Sequence, residues 1–190
     1  MKTEILNKTI SESSNLLNLT AALYPLLRMY DDGNELEIRF GHYDGEYFRS
    51  CLSMLSYNRL LKNFMNDEDY VRSYISNNVH MYSNGIRQIH DCNNITNIKK
   101  IKKTRIDNHD LGLRIALSIE KELTKAPSGK YIKKSRLRHT FNHIRKHHKI
   151  DLTIDTFPRL KQYQCEVEFT SKPNITDIID IINTIKGIIN

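Results

Sequence analysis

Residues 113–120 alternate without a break: Leu113, Ile115, Leu117 and Ile119 fall on one side of an extended chain, and Arg114, Ala116, Ser118 and Glu120 fall on the other. A strand that is apolar on one face and charged on the other needs two environments at once. The pattern recurs. Glu35-Leu36-Glu37-Ile38-Arg39-Phe40 sets two glutamates and an arginine against three apolar residues, and Gln164, Glu166 and Glu168 share a face in 163–169. In 149–156, Ile150, Leu152 and Ile154 alternate with Asp151, Thr153 and Asp155. Such strands suit an open antiparallel sheet with its charged face in bulk water. They suit equally a closed barrel with a polar lumen and its apolar faces packed outward on helices. The periodicity alone is the same in both cases.

Further strands are expected at 48–54, 70–75, 85–89, 98–106 and, as a strongly basic segment, 132–141. Leu16, Leu19, Leu23, Leu26 and Leu27 recur at helical spacing within 11–30, where Pro25 is a candidate kink. Tyr57, Leu60, Leu61 and Phe64 mark a short helix, with Ser56 as a candidate cap. A last helix carries Ile175, Ile178, Ile182, Ile185 and Ile189 as a stripe, with Asn174 as its N-cap and Asp177 in the first turn. The reading is an α+β chain of about seven or eight antiparallel strands and a few helices, in a single domain over 1–190 with no visible linker or repeat.

No apolar run approaches a membrane-spanning length, and no apolar h-region follows Met1-Lys2-Thr3-Glu4. Cys51, Cys92 and Cys165 are scattered and form no CxxC pair, so they read as reduced thiols of an intracellular protein. The sequons at Asn7, Asn18, Asn94 and Asn174 carry no weight in that setting. A net charge of +7 and a pI near 9.2 favour a polyanionic partner. His139, His143 and His147 fall four apart with His148 adjacent, but no cysteine or acid completes a zinc site and the segment joins two strands. The basic run Lys99 to Arg105 suits an RNA contact or a localisation signal. There is no GxxxxGK[ST] loop and no Cys-x5-Arg run.

The charged faces, taken as a set, complement one another chemically. Glu35, Glu37, Glu120, Asp151, Glu166 and Glu168 supply hard oxygen ligands of the kind Mg²⁺ and Mn²⁺ prefer. Arg39, Arg87, Arg114, Lys134, Arg136 and Arg138 supply cations, and guanidinium groups clamp phosphate oxygens bidentately. An interior holding both would bind a metal–triphosphate complex; solvated sheet faces with exposed ion pairs are the alternative.

The order Glu-x-Glu at 35–37, Arg-Ile-Ala-Leu-Ser-Ile-Glu at 114–120, Lys-x-Arg-x-Arg at 134–138, Ile-Asp-Leu-Thr at 150–153 and Glu-Val-Glu at 166–168 resembles the metal-dependent RNA 5′-triphosphatases of the triphosphate tunnel metalloenzyme family. The resemblance runs from Glu35 to Phe169, and through Leu111 to Glu120 it is most similar to the viral mRNA-capping branch. It implies a closed eight-stranded barrel with a charged tunnel, Mg²⁺ or Mn²⁺ as cofactor, and removal of the γ-phosphate of 5′-triphosphate RNA as the first step of cap formation. By position, Glu35, Glu37 and Glu168 would bind the metal. Arg87, Arg136 and Arg138 would hold the γ-phosphate, with Arg39, Arg114, Lys134 and a base from Lys99 to Arg105 as further phosphate ligands. Glu120 would orient the attacking water, helped by Glu166, and Asp151 would support the basic residues. Gln164 stands where relatives often carry a third acid of an ExExE run. Implied partners are triphosphate-ended RNA and guanylyltransferase or methyltransferase capping domains, without a membrane, in cytoplasm or nucleus. A tunnel-family hydrolase of free triphosphate, polyphosphate or nucleotides, and a non-catalytic RNA-binding capping subunit, remain alternatives.

Overall fold

The computed structural model describes residues 15, 17–92 and 94–189. The chain starts in helix α1 (17–28) and passes into β1 (Glu35–Phe40), β2 (His42–Asp44) and β3 (Tyr47–Arg49). Helix α2 (Met54–Met65) follows, then β4 (Tyr70–Tyr82), β5 (Ile86–Asp91), β6 (Asn94–Asn108) and β7 (Leu113–Leu123). The chain finishes with β8 (Tyr131–His143), β9 (His148–Phe157), β10 (Leu160–Phe169) and α3 (Ile175–Ile189). Eight strands close into an antiparallel barrel in the order β1-β10-β9-β8-β4-β5-β6-β7, while β2 and β3 form a separate small hairpin. Closure removes the exposed edges an open sheet would carry, and it decides between the two arrangements the alternation allowed.

The outward faces of β1, β7, β9 and β10 supply Leu36, Ile38, Phe40, Leu113, Ile115, Leu117, Ile150, Leu152, Val167 and Phe169 to one apolar core. Leu19, Leu23, Leu26 and Leu27 of α1 join that core, as do Tyr57, Leu60 and Phe64 of α2 and Ile178, Ile181, Ile182 and Ile185 of α3. The core therefore lies between the barrel wall and the helices, and the alternate residues are left to the lumen. The α1 assignment runs unbroken through Pro25; residues 11–14 and Leu16 of the expected helix lie outside the described residues.

Two local expectations are corrected. The segment 48–54 is not one strand: β3 ends at Arg49, and Met54 already opens α2. The cap of α2 is Ser53 rather than Ser56, with Ser53 Oγ accepting from the Ser56 amide at 3.0 Å. At α3, Asn174 Oδ1 accepts from the Asp177 amide at 2.8 Å, as the sequence suggests.

A register shift between Lys102 and Thr104 interrupts the β6–β7 ladder. Before the bulge the even residues of β6, such as Lys100, face the lumen; after it Arg105 and Asp107 do. At the same end, Gly41 and Gly112 bring two loops into contact, the Gly41 amide donating to the Gly112 carbonyl at 2.9 Å. A side chain at Gly41 would overlap the Arg49 carbonyl oxygen.

Candidate active site

The lumen encloses a cavity of about 400 Å³ lined by ten of the residues singled out from sequence: Glu35, Glu37, Arg39, Arg87, Glu120, Arg136, Arg138, Asp151, Glu166 and Glu168. They come from β1, β5, β7, β8, β9 and β10. Cross-strand register sets their neighbours. Glu37 lies opposite Glu168, and Arg39 lies between Glu166 on β10 and Arg114 on β7. Like charges directly opposed destabilise a bare sheet, so the Glu37–Glu168 pair creates a demand for a cation.

Lysines meet that demand in this structure. Lys100 Nζ binds Glu37 and also reaches Glu35 at 3.1 Å and Glu120 at 3.8 Å. Lys149 Nζ holds Glu168 at 3.0 Å. Among the described residues, no group of three or more His, Cys, Asp or Glu side chains is gathered as a metal site. The donor set of Glu35, Glu37 and Glu168 nonetheless fits a hard divalent ion in kind: all are carboxylates, two on one strand face and the third in register across from them.

The acids differ in proton affinity although they share one space. Burial raises the Glu35 carboxyl, partly offset by Lys100. Burial also pushes on Glu37, but Arg39 and Lys100 outweigh it and hold that carboxyl below its usual range. Glu166 is raised by burial and by the charge of Glu37. Arg39 bonds Glu37 and reaches Glu166 at 3.0 Å; burial opposes its charge, and those two carboxylates more than compensate.

The basic wall is oriented by acids behind it. Asp155 is fully buried, accepts two bonds from Arg136 at 2.8 and 2.9 Å, and also pairs with Lys134. Burial would raise its carboxyl, but Arg136 and Lys134 hold it down. Lys134 is lowered by burial and by the neighbouring Arg136. Asp151 accepts from Thr140 at 2.5 Å and sits 3.3 Å from Arg138. Among the described residues, Arg138 Nε and Asn77 Oδ1 are buried without a hydrogen-bond partner, and both residues line the cavity, where a ligand can satisfy them. Arg87 pairs with Glu120.

Arg114 and Lys134 stand apart from the main cavity, towards one mouth of the barrel. Arg114 lines a side pocket of about 150 Å³ with Lys102 and Arg105, and its Nε donates to Asp107 at 2.5 Å. Its guanidinium lies 4.8 Å from the centre of the Phe48 ring in the β2–β3 hairpin. Lys134 and Gln164 line another opening, of about 240 Å³, with Ser50, Met81 and Gly85. Sequence reasoning missed Asp155 and Asp107 as site residues and narrowed Lys100 only to a seven-residue run. For Asp155 the signal was present, since it shares the lumen face of β9 with Asp151.

No family model and no curated protein matches this sequence. Solved structures do. The RNA triphosphatase domain of a trifunctional mimivirus mRNA capping enzyme superposes with a TM-score of 0.62 at 15% identity, covering 90% of this chain and 97% of that one. The S. pombe Pct1 RNA triphosphatase gives 0.62 at 16% identity, covering 90% and 83%. The same protein in complex with the Spt5 CTD gives 0.59 at 16% identity, covering 90% and 84%. At this identity the likeness defines the fold, which is that of the triphosphate tunnel proteins.

Proposed function

We propose that the chain is a metal-dependent RNA 5′-triphosphatase acting in the first step of cap formation. The observation that carries the reading is the lumen of the closed barrel: a cavity in which opposed carboxylates face a wall of arginines anchored by buried aspartates. Phosphoryl transfer requires mostly positioning and neutralisation of charge, and both are built here. Arg136, fixed by Asp155, and Arg138, with its Nε free, clamp the equatorial oxygens of the γ-phosphate. Arg87 adds a cation and holds Glu120 beside it. Glu120 and Glu166 take the water-orienting role, and the raised affinity of Glu166 for protons suits a group that receives one. Glu35, Glu37 and Glu168 would hold Mg²⁺ or Mn²⁺, which supplies charge neutralisation at the phosphate when bound. Lys100, which pairs with Glu35 and Glu37, would compete with such an ion for those two carboxylates.

Capping as the role, and RNA as the substrate, are supported by the fold shared with RNA triphosphatases together with a net charge of +7. Product analysis tests the reaction. Triphosphate-ended RNA should yield orthophosphate and a 5′-diphosphate end; pyrophosphate with a 5′-monophosphate end would contradict the proposal. The same tunnel chemistry would cleave free tripolyphosphate, so competition between RNA and tripolyphosphate ranks the two substrates.

A further inference from the structure

Among the described residues, the helices cover only part of the barrel. Among the same residues, the outward side chains of β4 beyond Tyr70 and of most of β8 are exposed to half-buried, and those of β5 are half-buried. No carboxylate occurs among the described outward-facing residues of 72–82, 86–90 and 131–139. In a barrel whose lumen is crowded with acids, this face presents Arg72 and Lys133 and neutral side chains alone.

Aromatic rings interrupt that basic face in two places. Tyr74, 71% exposed, lies tilted against His139, which Arg72 contacts at 3.1 Å. Farther along β4, His80 stacks on Tyr131 with ring centres 4.2 Å apart and planes 18° from parallel. Tyr131 is 50% exposed and also meets Tyr82 at 5.3 Å. Tyr74 and His80 are six residues apart on one face of β4, a separation of about 20 Å. The second cluster adjoins the lumen mouth, because Met81 and Lys134 line that mouth while their chain neighbours Tyr82 and Lys133 point outward.

We propose that this uncovered β8–β4–β5 face binds the single-stranded RNA chain whose 5′ end occupies the lumen, with Tyr131 and Tyr74 as base-stacking platforms and Arg72 and Lys133 as phosphate contacts. The inference rests on the RNA 5′-triphosphatase reading and adds the path of the strand: out through the mouth beside Lys134 and down the face of β4. Exposed rings interleaved with cations are the chemistry that holds single strands without reading sequence. An acidic protein segment would use the cations but offers a stacking face only where it carries an aromatic side chain, whereas every base of a single strand carries one. The missing carboxylates remove the repulsion a polyanion would otherwise meet.

The test measures fluorescence anisotropy of a short single-stranded RNA with a 5′-hydroxyl end, so that no triphosphate engages the lumen. Tyr74→Ala with Tyr131→Ala should weaken binding about tenfold or more, and Tyr131→Phe should retain it. Lys133→Ala should flatten the salt dependence by a slope of about 0.7. Hydrolysis of inorganic tripolyphosphate should be unchanged in all of these variants. RNA affinity within a factor of about two of wild type in the double variant would overturn the proposal, as it would if the face takes an acidic protein instead. A wild type that binds this RNA through the rings but cleaves no triphosphate would leave the surface standing and sink the catalytic reading.

Discussion

Replacing Asp155 with alanine is expected to destabilise the barrel more than any other single change in the lumen. The Asp155 carboxylate is fully buried and neutralises two cations that are themselves less than one-tenth exposed, Lys134 and Arg136. Lys134 can shed its proton, and burial beside Arg136 already favours that. Arg136 cannot, so its guanidinium is left charged in the cavity wall without the carboxylate that paired it. Breaking a buried pair in this way costs about 4 kcal/mol, and for a chain of this size that lowers the melting temperature by about 10 °C. Scanning calorimetry of Asp155→Ala beside wild type reads the shift. The loss should shrink in an Arg136→Met background, where the stranded charge is gone. Added tripolyphosphate should restore part of it, because the ligand supplies the missing anion. The depressed Asp155 carboxyl contributes its stability above the ordinary value of 3.8 and loses it as pH falls through the folded value. A drop of less than about 2 °C would refute the argument that Asp155 anchors the basic wall.

Two further outcomes follow from the same geometry. Lys100→Met removes the cation that competes for Glu35 and Glu37, so calorimetric titration should show Mn²⁺ binding about tenfold tighter; unchanged or weaker binding would show that Lys100 is not a competitor. His148 is buried against Tyr70 and His143, and burial, reinforced by His143, pushes its imidazole down from 6.5 to about 4. The unfolded chain therefore takes up a proton below about pH 6.5 that the folded chain refuses until about pH 4, and stability falls by about 3 kcal/mol across that interval. His148→Gln should lose less stability than wild type between neutral pH and pH 4.5 in urea titrations; equal losses would mean that another group governs the acid limb.

The parts of the fold legible in the sequence are those where one strand face is buried against a helix. β1, β7, β9 and β10 show clean alternation because their apolar residues meet the core and their charges meet the lumen. β4 gave no such signal beyond its first residues, because most of its outward positions face solvent and need not be apolar; its length of 13 residues was under-read for that reason. The bulge at Lys102 and Thr104 is invisible to a period of two, since it inserts one residue and turns the basic run of β6. The start of α2 was misplaced because Phe48 to Met54 is apolar enough to imitate a strand, whereas the Ser53 cap is a local hydrogen bond. Ten of the residues named from the sequence line the main cavity, whereas Asp107 and Asp155 were not named and Lys100 was placed only within a run. The pairings were not legible, because which lysine meets which glutamate depends on the stagger of the closed barrel.

The central claim is a metal-dependent reaction inside the barrel. Release of γ-phosphate from 5′-triphosphate RNA, with and without Mn²⁺, for wild type beside Glu37→Ala and Glu168→Ala, tests it most directly. The account predicts release by wild type only with the ion present, and a loss of about a hundredfold or more in each variant. Release that persists without the ion, or survives in both variants, would contradict it, as would a folded wild type that releases no phosphate.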